Sequence, residues 1–283
     1  TFSSKEAGIR ALEALESVGV YQTDVAAPSV ASSVALFNLE PFRPYGGPVG
    51  QIISHRAYAL RYSEAHEQAA WVLYRITAEQ LRASVDRTDD FRADRAVTTG
   101  SASLDDYRGS GYDRGHMAPA AAMAWSEEVM SESFLLSNIS PQEPDFNRGI
   151  WRELEARVRN WARRHNEILV VTGPVLSEQL PRIGPNNVAV PDLYYKVVVD
   201  LAPPGISGVG FILPNGSANE AIDRYVVSID SVEAITGMDF FPVVVDSIEA
   251  EVEGMVVGEH WGLKLLEFPT WAKYKSWGRV KAE

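Results

Sequence analysis

Cysteine is absent from this chain of 283 residues, which excludes disulfide bonds, thiolate metal sites and cysteine nucleophiles. Long apolar runs are missing as well. No segment approaches the roughly 20 consecutive apolar residues that a membrane-spanning helix needs, so we expect no membrane partner. The first residues also lack the basic start and long apolar centre of a secretory signal. The chain begins at Thr1 rather than at Met, which is compatible with removal of a presequence.

Basic residues are outnumbered overall and absent from one long stretch. The net charge is −12, and the segment from Tyr225 to Leu263 has eight acidic residues and no Lys or Arg. A surface that binds nucleic acid is normally basic, because counterion release supplies most of the non-specific affinity. Six arginines, however, lie between Arg148 and His165, against two glutamates. The charge distribution therefore weakens a nucleic-acid function without excluding it.

Apolar residues are plentiful and predict one main domain behind an N-terminal arm. They make up 46% of the chain, with 7 Trp, 11 Tyr and 10 Phe, which is enough for a packed core. Residues 4–18 have helical spacing and are followed by a stretch rich in Ala, Ser, Pro and Gly. We therefore expect an arm over residues 1–49, packed on a catalytic domain over residues 50–283. The acidic region of that domain begins near residue 225.

The remaining patterns predict strands with few helices between them. A strand pattern begins at Ile52, and buried strands are expected over residues 71–77, 168–176, 194–201 and 208–214. One long helix is expected from Asn147 to Arg164, because apolar residues recur there at helical spacing. Runs of strands with only a few helices predict an α+β domain.

Residues suited to catalysis are concentrated between Tyr107 and Pro174. The segments are SGYDRGHMAPA at 110–120, SNISPQ at 137–142 and FNRGIWRELEARVR at 146–159. They contain no Ser-His-acid set with recognisable spacing and no phosphate-binding glycine loop. On a helix, Asn147, Glu155 and Arg159 would lie on one ridge with Trp151, because they are four residues apart. Amide and carboxylate oxygens suit magnesium, and an arginine one turn further on suits a phosphate.

These segments closely resemble the DNA/RNA non-specific endonucleases of the ββα-metal (His-Me finger) superfamily. DRGH at 113–116 matches the family signature, SNISPQ matches its SNxSPQ element, and the helix matches its N-x-x-x-W-x-x-x-E pattern. The resemblance covers roughly residues 50–245. It implies an α+β fold in which a ββα-metal core lies on a central, mainly antiparallel sheet flanked by helices. One departure is Ala122, where many relatives have Asp.

The resemblance implies a Mg²⁺-dependent endonuclease that hydrolyses phosphodiester bonds in both DNA and RNA, with Mn²⁺ as a substitute metal. His116 would be the general base that deprotonates water. Asn147 would be the direct metal ligand, and Glu155 would orient metal-bound waters. A nuclease active inside its own cell would be harmful, so we expect a secreted, periplasmic or organellar location. Besides DNA and RNA, the expected partners are a second copy of the chain and a protein inhibitor.

Four further residues acquire roles from the resemblance. Arg114 would steady the site or the phosphate, and Asn138 would fix the hydrogen bonds of the site. Arg87 and Arg159 would hold phosphate oxygens and stabilise the charge of the transition state. The chemistry is consistent with these roles, because a neutral imidazole accepts a proton near neutral pH and guanidinium groups stay charged throughout. Nothing in this set contacts base edges, so no sequence specificity is expected.

Each residue also has an ordinary structural interpretation. Asn147 suits a helix N-cap, Glu155 and Arg159 suit a surface i,i+4 pair, and Trp151 suits the core. The other four histidines (His55, His66, His165 and His260) are interpreted as ordinary surface or hydrogen-bonded residues. Two functional alternatives stay open: a catalytically silent member of the fold that binds nucleic acid or a protein, and a phosphodiesterase for small or lipid-linked diesters. A toxin domain is a third idea, without direct support.

Overall fold

The computed structural model describes residues 38–201, 206–217, 220–242 and 258–264. The helix expected over residues 4–18 lies outside the described residues, as does most of the expected N-terminal arm. None of the helices in these four ranges is both long enough and apolar enough to cross a membrane.

A seven-stranded antiparallel sheet forms the centre of the molecule, in the order β12-β11-β10-β7-β4-β3-β2. Three further pairs (β1 with β13, β5 with β6, and β8 with β9) lie apart from it. The strands are β1 Tyr45–Gly46, β2 Gln51–Ser54, β3 Tyr58–Ser63, β4 Gln68–Thr77, β5 Asp113–His116, β6 Ile139–Gln142, β7 Glu167–Pro174, β8 Arg182–Ile183, β9 Val188–Ala189, β10 Leu193–Asp200, β11 Ser207–Pro214, β12 Val226–Val227 and β13 Met238–Asp239.

The predicted strands are confirmed to within a few residues. The strand expected from Ile52 is β2, and the four expected buried strands are β4, β7, β10 and β11. Both faces of these central strands are covered, which is why they appear in the sequence as nearly continuous apolar runs. Alternate residues enter two separate clusters: Val72 and Tyr74 belong to one, Trp71 and Leu73 to the other. The observed fold is the α+β arrangement that the sequence predicts.

Helices cover the two faces of the sheet. They are α1 Leu104–Tyr107, α2 Glu127–Glu132, α3 Pro144–Phe146, α4 Arg152–His165, α5 Ile229–Thr236 and α6 Gly258–Trp261. Short 3₁₀ turns cover Glu40–Phe42, Gln80–Arg82, Ala120–Ala122, Leu136–Asn138 and Ile222–Tyr225. Helix α4 buries Leu154, Val158 and Trp161 in the same cluster as Val72 and Tyr74. Helix α5 buries Ile229 and Val232 in the cluster on the other face.

The helix expected from Asn147 is interrupted at its start. Asn147–Trp151 form one turn of π-helix, Gly149 has non-helical angles (φ −100°, ψ −113°), and α4 proper begins at Arg152. Glycine tolerates these angles because it lacks a Cβ atom. The prediction that Asn147 lies on one continuous helical ridge with Trp151, Glu155 and Arg159 is therefore wrong at Asn147. Such π-turns often occur at functional sites, where they redirect a side chain.

A small ββα unit lies beside the large sheet and contains the three sequence motifs. Strands β5 and β6 pair antiparallel, with His116 opposite Ile139 and Asp113 opposite Gln142. Helix α3, the π-turn and α4 follow β6 directly. Gly115 permits the close pairing, since a Cβ atom there would lie 2.0 Å from the side-chain oxygen of Gln142.

Candidate nuclease active site

His116 ends strand β5, and its ring is held by two aromatic side chains. The imidazole contacts Phe134 edge-on at 4.8 Å between ring centres, and the ring of Phe91 lies 5.5 Å away. Nε2 is buried and has no hydrogen-bond partner among the described residues. Burial, together with the charges of Arg87 and Arg114, lowers the pKa of His116 to about 3. The imidazole is therefore neutral at physiological pH, and its free nitrogen lone pair is not blocked by a proton.

The two arginines nearest to His116 stack on the same two aromatic rings. The guanidinium of Arg87 lies 4.7 Å from the ring centre of Phe134, and that of Arg114 lies 4.1 Å from the ring centre of Phe91. Cation–π contacts of this kind position a guanidinium without neutralising its charge. Arg87 also donates from Nε to Asp89 at 2.6 Å. The site therefore presents two positioned guanidinium groups beside a neutral base, and that of Arg87 is also paired with the carboxylate of Asp89.

Asn138 is fully buried and supports the loop that follows His116. Its side-chain oxygen accepts from the backbone N–H of Ala118 at 2.9 Å, and its amide group donates to the carbonyl oxygens of Ala118 and Ser133. With these bonds made and no exposed surface, the side chain does not face a substrate. Its contribution to the site is to position the backbone two residues after His116.

Asn147 is held by an aspartate that the sequence analysis did not single out. Its amide nitrogen donates to Asp113 at 2.9 Å, and Arg148 makes a two-pronged contact with the same carboxylate at 2.8 and 2.6 Å. Burial alone would raise the pKa of Asp113, but the hydrogen bonds from Arg148 and Asn147 outweigh it and lower the pKa. Asp113 therefore remains an acceptor and fixes the orientation of the Asn147 amide.

This orientation suits a hard divalent cation. Because the amide nitrogen is bound to Asp113, the carbonyl oxygen of Asn147 is the atom left for a ligand, and no protein donor contacts it among the described residues. Magnesium favours such oxygen ligands and usually keeps several of its waters. One neutral carbonyl oxygen together with a carboxylate is a donor set that fits Mg²⁺ or Mn²⁺.

Glu155 is the carboxylate that the resemblance assigns to the metal, and it has a buried lysine as its neighbour. Burial raises the pKa of Glu155, whereas the charges of Lys196, Arg159 and Arg87 and a hydrogen bond from Trp151 oppose the rise. Lys196 lies in the middle of β10 and is fully buried. Its ammonium donates to Thr172 Oγ1 at 3.0 Å and lies 4.3 Å from the ring centre of Trp151. It therefore acts on Glu155 through space, as a fixed positive charge.

Arg159 extends the positive charge along α4. One of its terminal nitrogens, Nη1, is buried without a hydrogen-bond partner among the described residues. The residue also lines an open pocket together with Gly149, Arg152 and Glu220. Because Nη1 is not accessible, a phosphate oxygen would be held by the part of the residue that lines this pocket.

The structure connects His116 with Arg87, Glu155 and Trp151 among the sequence-predicted residues. Arg87 influences the pKa of both His116 and Glu155, so both lie within its electrostatic reach. The indole N–H of Trp151 donates to the backbone oxygen of His116 at 3.4 Å, which connects the helix to strand β5. Trp151 itself is fully buried, as its core interpretation predicts.

Two supporting residues, Asp113 and Lys196, were missed by the sequence reasoning. The sequence nevertheless contains a feature that marks each of these two residues. Asp113 is the first residue of DRGH, and Lys196 is a lone charge within the apolar run YYKVVVD. A charge at the centre of a buried strand needs a specific partner, and this marks such a position as functional or structural.

The other histidines have protein partners. His55 contacts Asp94 at 3.0 Å, and His66 contacts Ser63 at 2.9 Å. His165 and His260 both contact Asp200 at 2.9 Å. Their interpretation as hydrogen-bonded residues is consistent with the structure.

Comparison with known proteins identifies the family. The family model described as DNA/RNA non-specific endonuclease matches residues 43–247. The chain belongs to this family. Its members are metal-dependent nucleases, so this protein is an enzyme that hydrolyses nucleic acids, with the ββα core expected of the family.

Similar proteins come from distant organisms. Human mitochondrial endonuclease G is 38% identical over 217 residues, covering 70% of this chain and 72% of the relative. A nuclease from Nostoc is 34% identical over 221 residues, covering 74% and 80%. The mitochondrial nuclease of Saccharomyces cerevisiae is 33% identical over 231 residues, covering 72% and 70%. A solved structure of EndoG, described in complex with EndoGI, matches with a TM-score of 0.65 and 33% identity, covering 70% of this chain and 89% of that one.

Proposed function

We propose that this nuclease hydrolyses phosphodiester bonds in both DNA and RNA, with His116 as general base and Mg²⁺ as cofactor. The observation that carries the proposal is a neutral imidazole packed against Phe134 and Phe91, the two rings on which Arg87 and Arg114 stack, in the same ββα unit as an oriented asparagine oxygen. Asn147 and Glu155 would hold the metal, with Mn²⁺ as a substitute. A bound metal supplies positive charge to the phosphate and to the departing 3′-oxygen.

The chain's own groups account for the rest of the chemistry. His116 accepts a proton from the attacking water, and we assign this role to Nδ1 because Nε2 is buried. Arg87 and Arg159 hold phosphate oxygens and stabilise the additional negative charge of the transition state. Arg114 keeps a further positive charge beside the base, and Asn138 fixes the following loop. These groups suit phosphates rather than base edges, which supports cleavage without sequence specificity.

The partners and location are proposed from the relatives. The solved EndoG structure is that of a complex with EndoGI and concerns EndoG inhibition, which supports a protein inhibitor as a partner here. The human and yeast relatives are named mitochondrial, which supports an organellar location. A homodimer and the division into an arm (1–49) and a catalytic domain (50–283) remain predictions.

Metal removal tests the proposal. We expect the wild-type enzyme to degrade supercoiled plasmid and total RNA in Mg²⁺ or Mn²⁺, and neither polymer in EDTA. A small chromogenic phosphodiester, measured in parallel, should be a much poorer substrate, because it cannot contact the arginines of α4. Intact polymers in every metal tested, or faster turnover of the small diester, would contradict the proposal.

Asp113→Ala should raise the Mg²⁺ concentration needed for half-maximal activity by about 10–100-fold, because the Asn147 amide loses the partner that orients it. The effect should be smaller at saturating Mg²⁺. Asp105→Ala is the matched control: Asp105 also pairs with an arginine, Arg108 at 2.7 Å, but on the exposed surface of α1. An unchanged Mg²⁺ requirement in Asp113→Ala would refute the orienting role.

A further inference from the structure

A second group of potential metal ligands lies at the far end of α4, away from the nuclease site. His165, Asp200 and His260 place one ligand atom each within 4.8 Å of one another. His165 is the last residue of α4, ten residues beyond Glu155. Ten residues of α-helix span about 15 Å, so the two groups are separate.

The three side chains converge on one point. Nδ1 of His165 and Nε2 of His260 both lie 2.9 Å from the same oxygen, Oδ2 of Asp200. The two imidazole rings stack with 4.5 Å between their centres and 27° between their planes. Two protonated imidazoles at this separation would repel each other. A single divalent cation bound between the three atoms satisfies both nitrogens and the carboxylate at once.

The ligand types and spacings suit zinc. Imidazole nitrogens with a carboxylate oxygen are a common zinc donor set, at about 2.0–2.2 Å from the metal. Neighbouring ligands of a tetrahedral ion at that distance are roughly 3.4 Å apart. The observed 2.9 Å contacts therefore need only small side-chain rotations to reach it. Magnesium, which favours oxygen ligands, does not match two imidazoles.

The surroundings of the three side chains hold Asp200 in place and leave the two histidines accessible from solvent. Asp200 is the final residue of β10 and pairs with Ser207 in the sheet, and its side chain is 3% exposed. The side chains of His165 and His260 are 17% and 27% exposed, so an ion and a water can reach them from solvent. Trp261 contacts both imidazoles, at 5.6 and 4.8 Å between ring centres.

We propose that His165, Asp200 and His260 form a zinc-class metal site that fastens residues 258–264, which include α6, to the catalytic helix and the central sheet. Its ligands come from three elements that lie far apart in sequence. The same segment is already attached through the bond from Trp161 Nε1 to the backbone oxygen of Trp261, at 2.8 Å. The bound ion adds a second attachment and leaves one coordination position for water. Its role is to stabilise the fold, and it is independent of the proposed nuclease chemistry.

Titration of the EDTA-treated, desalted full chain with Zn²⁺ tests this site. In millimolar Mg²⁺, we expect one Zn²⁺ per chain and a rise in Tm of about 5 °C once Zn²⁺ is well above its Kd. His260→Gln and His165→Gln should each weaken binding by more than about 100-fold, since each removes one of three protein ligands. Asn147→Ala is the matched control: it alters the proposed Mg²⁺ site and should keep the Zn²⁺ stoichiometry and the Tm shift.

Co²⁺ bound to the wild-type chain provides a readout that needs no variant. Visible absorption bands of four-coordinate Co²⁺ should appear with one equivalent and disappear when Zn²⁺ is added. Absence of Zn²⁺ binding to the wild-type chain would overturn the proposal, as would equal binding by the His260→Gln and wild-type chains. Either result leaves the nuclease proposal untouched, because that proposal is tested by cleavage rather than by Zn²⁺ stoichiometry.

Discussion

His116→Ala should lower kcat on plasmid DNA by about 10³-fold, the usual contribution of a positioned general base. The low pKa of His116, about 3, adds a condition on pH. Because the folded-state pKa lies below the ordinary value of 6.5, the imidazole is already neutral above about pH 4. The fold-loss caused by the substitution should therefore be the same at pH 6 and at pH 8.

The measurement is single-turnover cleavage by both proteins across that pH range, with circular dichroism and Tm to confirm folding. Among the described residues, the His116 side chain makes ring contacts with Phe134 and Phe91, and its backbone contacts are kept in the alanine variant, so the variant should fold normally. A loss that grew steadily with pH between 6 and 8 would indicate an imidazole that titrates in that range. A loss below about tenfold would remove His116 from the role of base.

Arg159→Ala should lower kcat/KM on DNA and RNA by about 10²–10³-fold, the effect of removing one donor to transition-state charge. Arg159 lines an open pocket together with Gly149 and Arg152, so the proposed use for its guanidinium is to hold a phosphate oxygen there. Arg163→Ala is the matched control, one turn further along the same helix. Arg163 is exposed and donates to Asn160 at 2.9 Å.

Comparing Arg159→Ala with Arg163→Ala distinguishes a specific phosphate contact of Arg159 from the general positive charge of α4. Both substitutions remove one positive charge from the same helix, so a purely electrostatic attraction to nucleic acid would be weakened similarly in the two. We expect Arg163→Ala to lose less than about threefold in kcat/KM at moderate salt. Equal losses in the two variants would refute a direct role for Arg159 in the transition state.

Much of the architecture could be predicted from the sequence because its signals are local. The apolar runs at 71–77, 168–176, 194–201 and 208–214 are strands, since a central strand buried on both faces needs apolar residues at every position. The family resemblance carried by the three short motifs likewise implies the ββα unit, whose strands pair in the structure through His116 and Ile139. Both inferences use information carried by short stretches of chain.

What the sequence did not predict depends on contacts between distant residues or on one backbone angle. The π-turn at Asn147 depends on the angles of Gly149, and helical spacing alone predicts a regular start instead. Lys196, on β10, approaches Glu155 and Trp151 only in the folded chain, since 41 and 45 residues separate it from them in the sequence. The cluster of His165, Asp200 and His260 is likewise formed by residues 35 to 95 positions apart, which no local pattern connects.

The most direct test of the separate roles of His116 and Asn147 uses an oligonucleotide in which sulfur replaces one leaving 3′-oxygen. A thiolate leaves readily without a metal to stabilise it, whereas activation of the attacking water is still needed. Asn147→Ala should therefore cleave the sulfur-containing bond at a rate close to that of wild type, although it fails on the ordinary bond. His116→Ala should fail on both bonds. The opposite result would contradict the account: cleavage of the sulfur-containing bond by His116→Ala but not by Asn147→Ala. In that case His116 would not be the base, and Asn147 would not hold the metal that stabilises the leaving group.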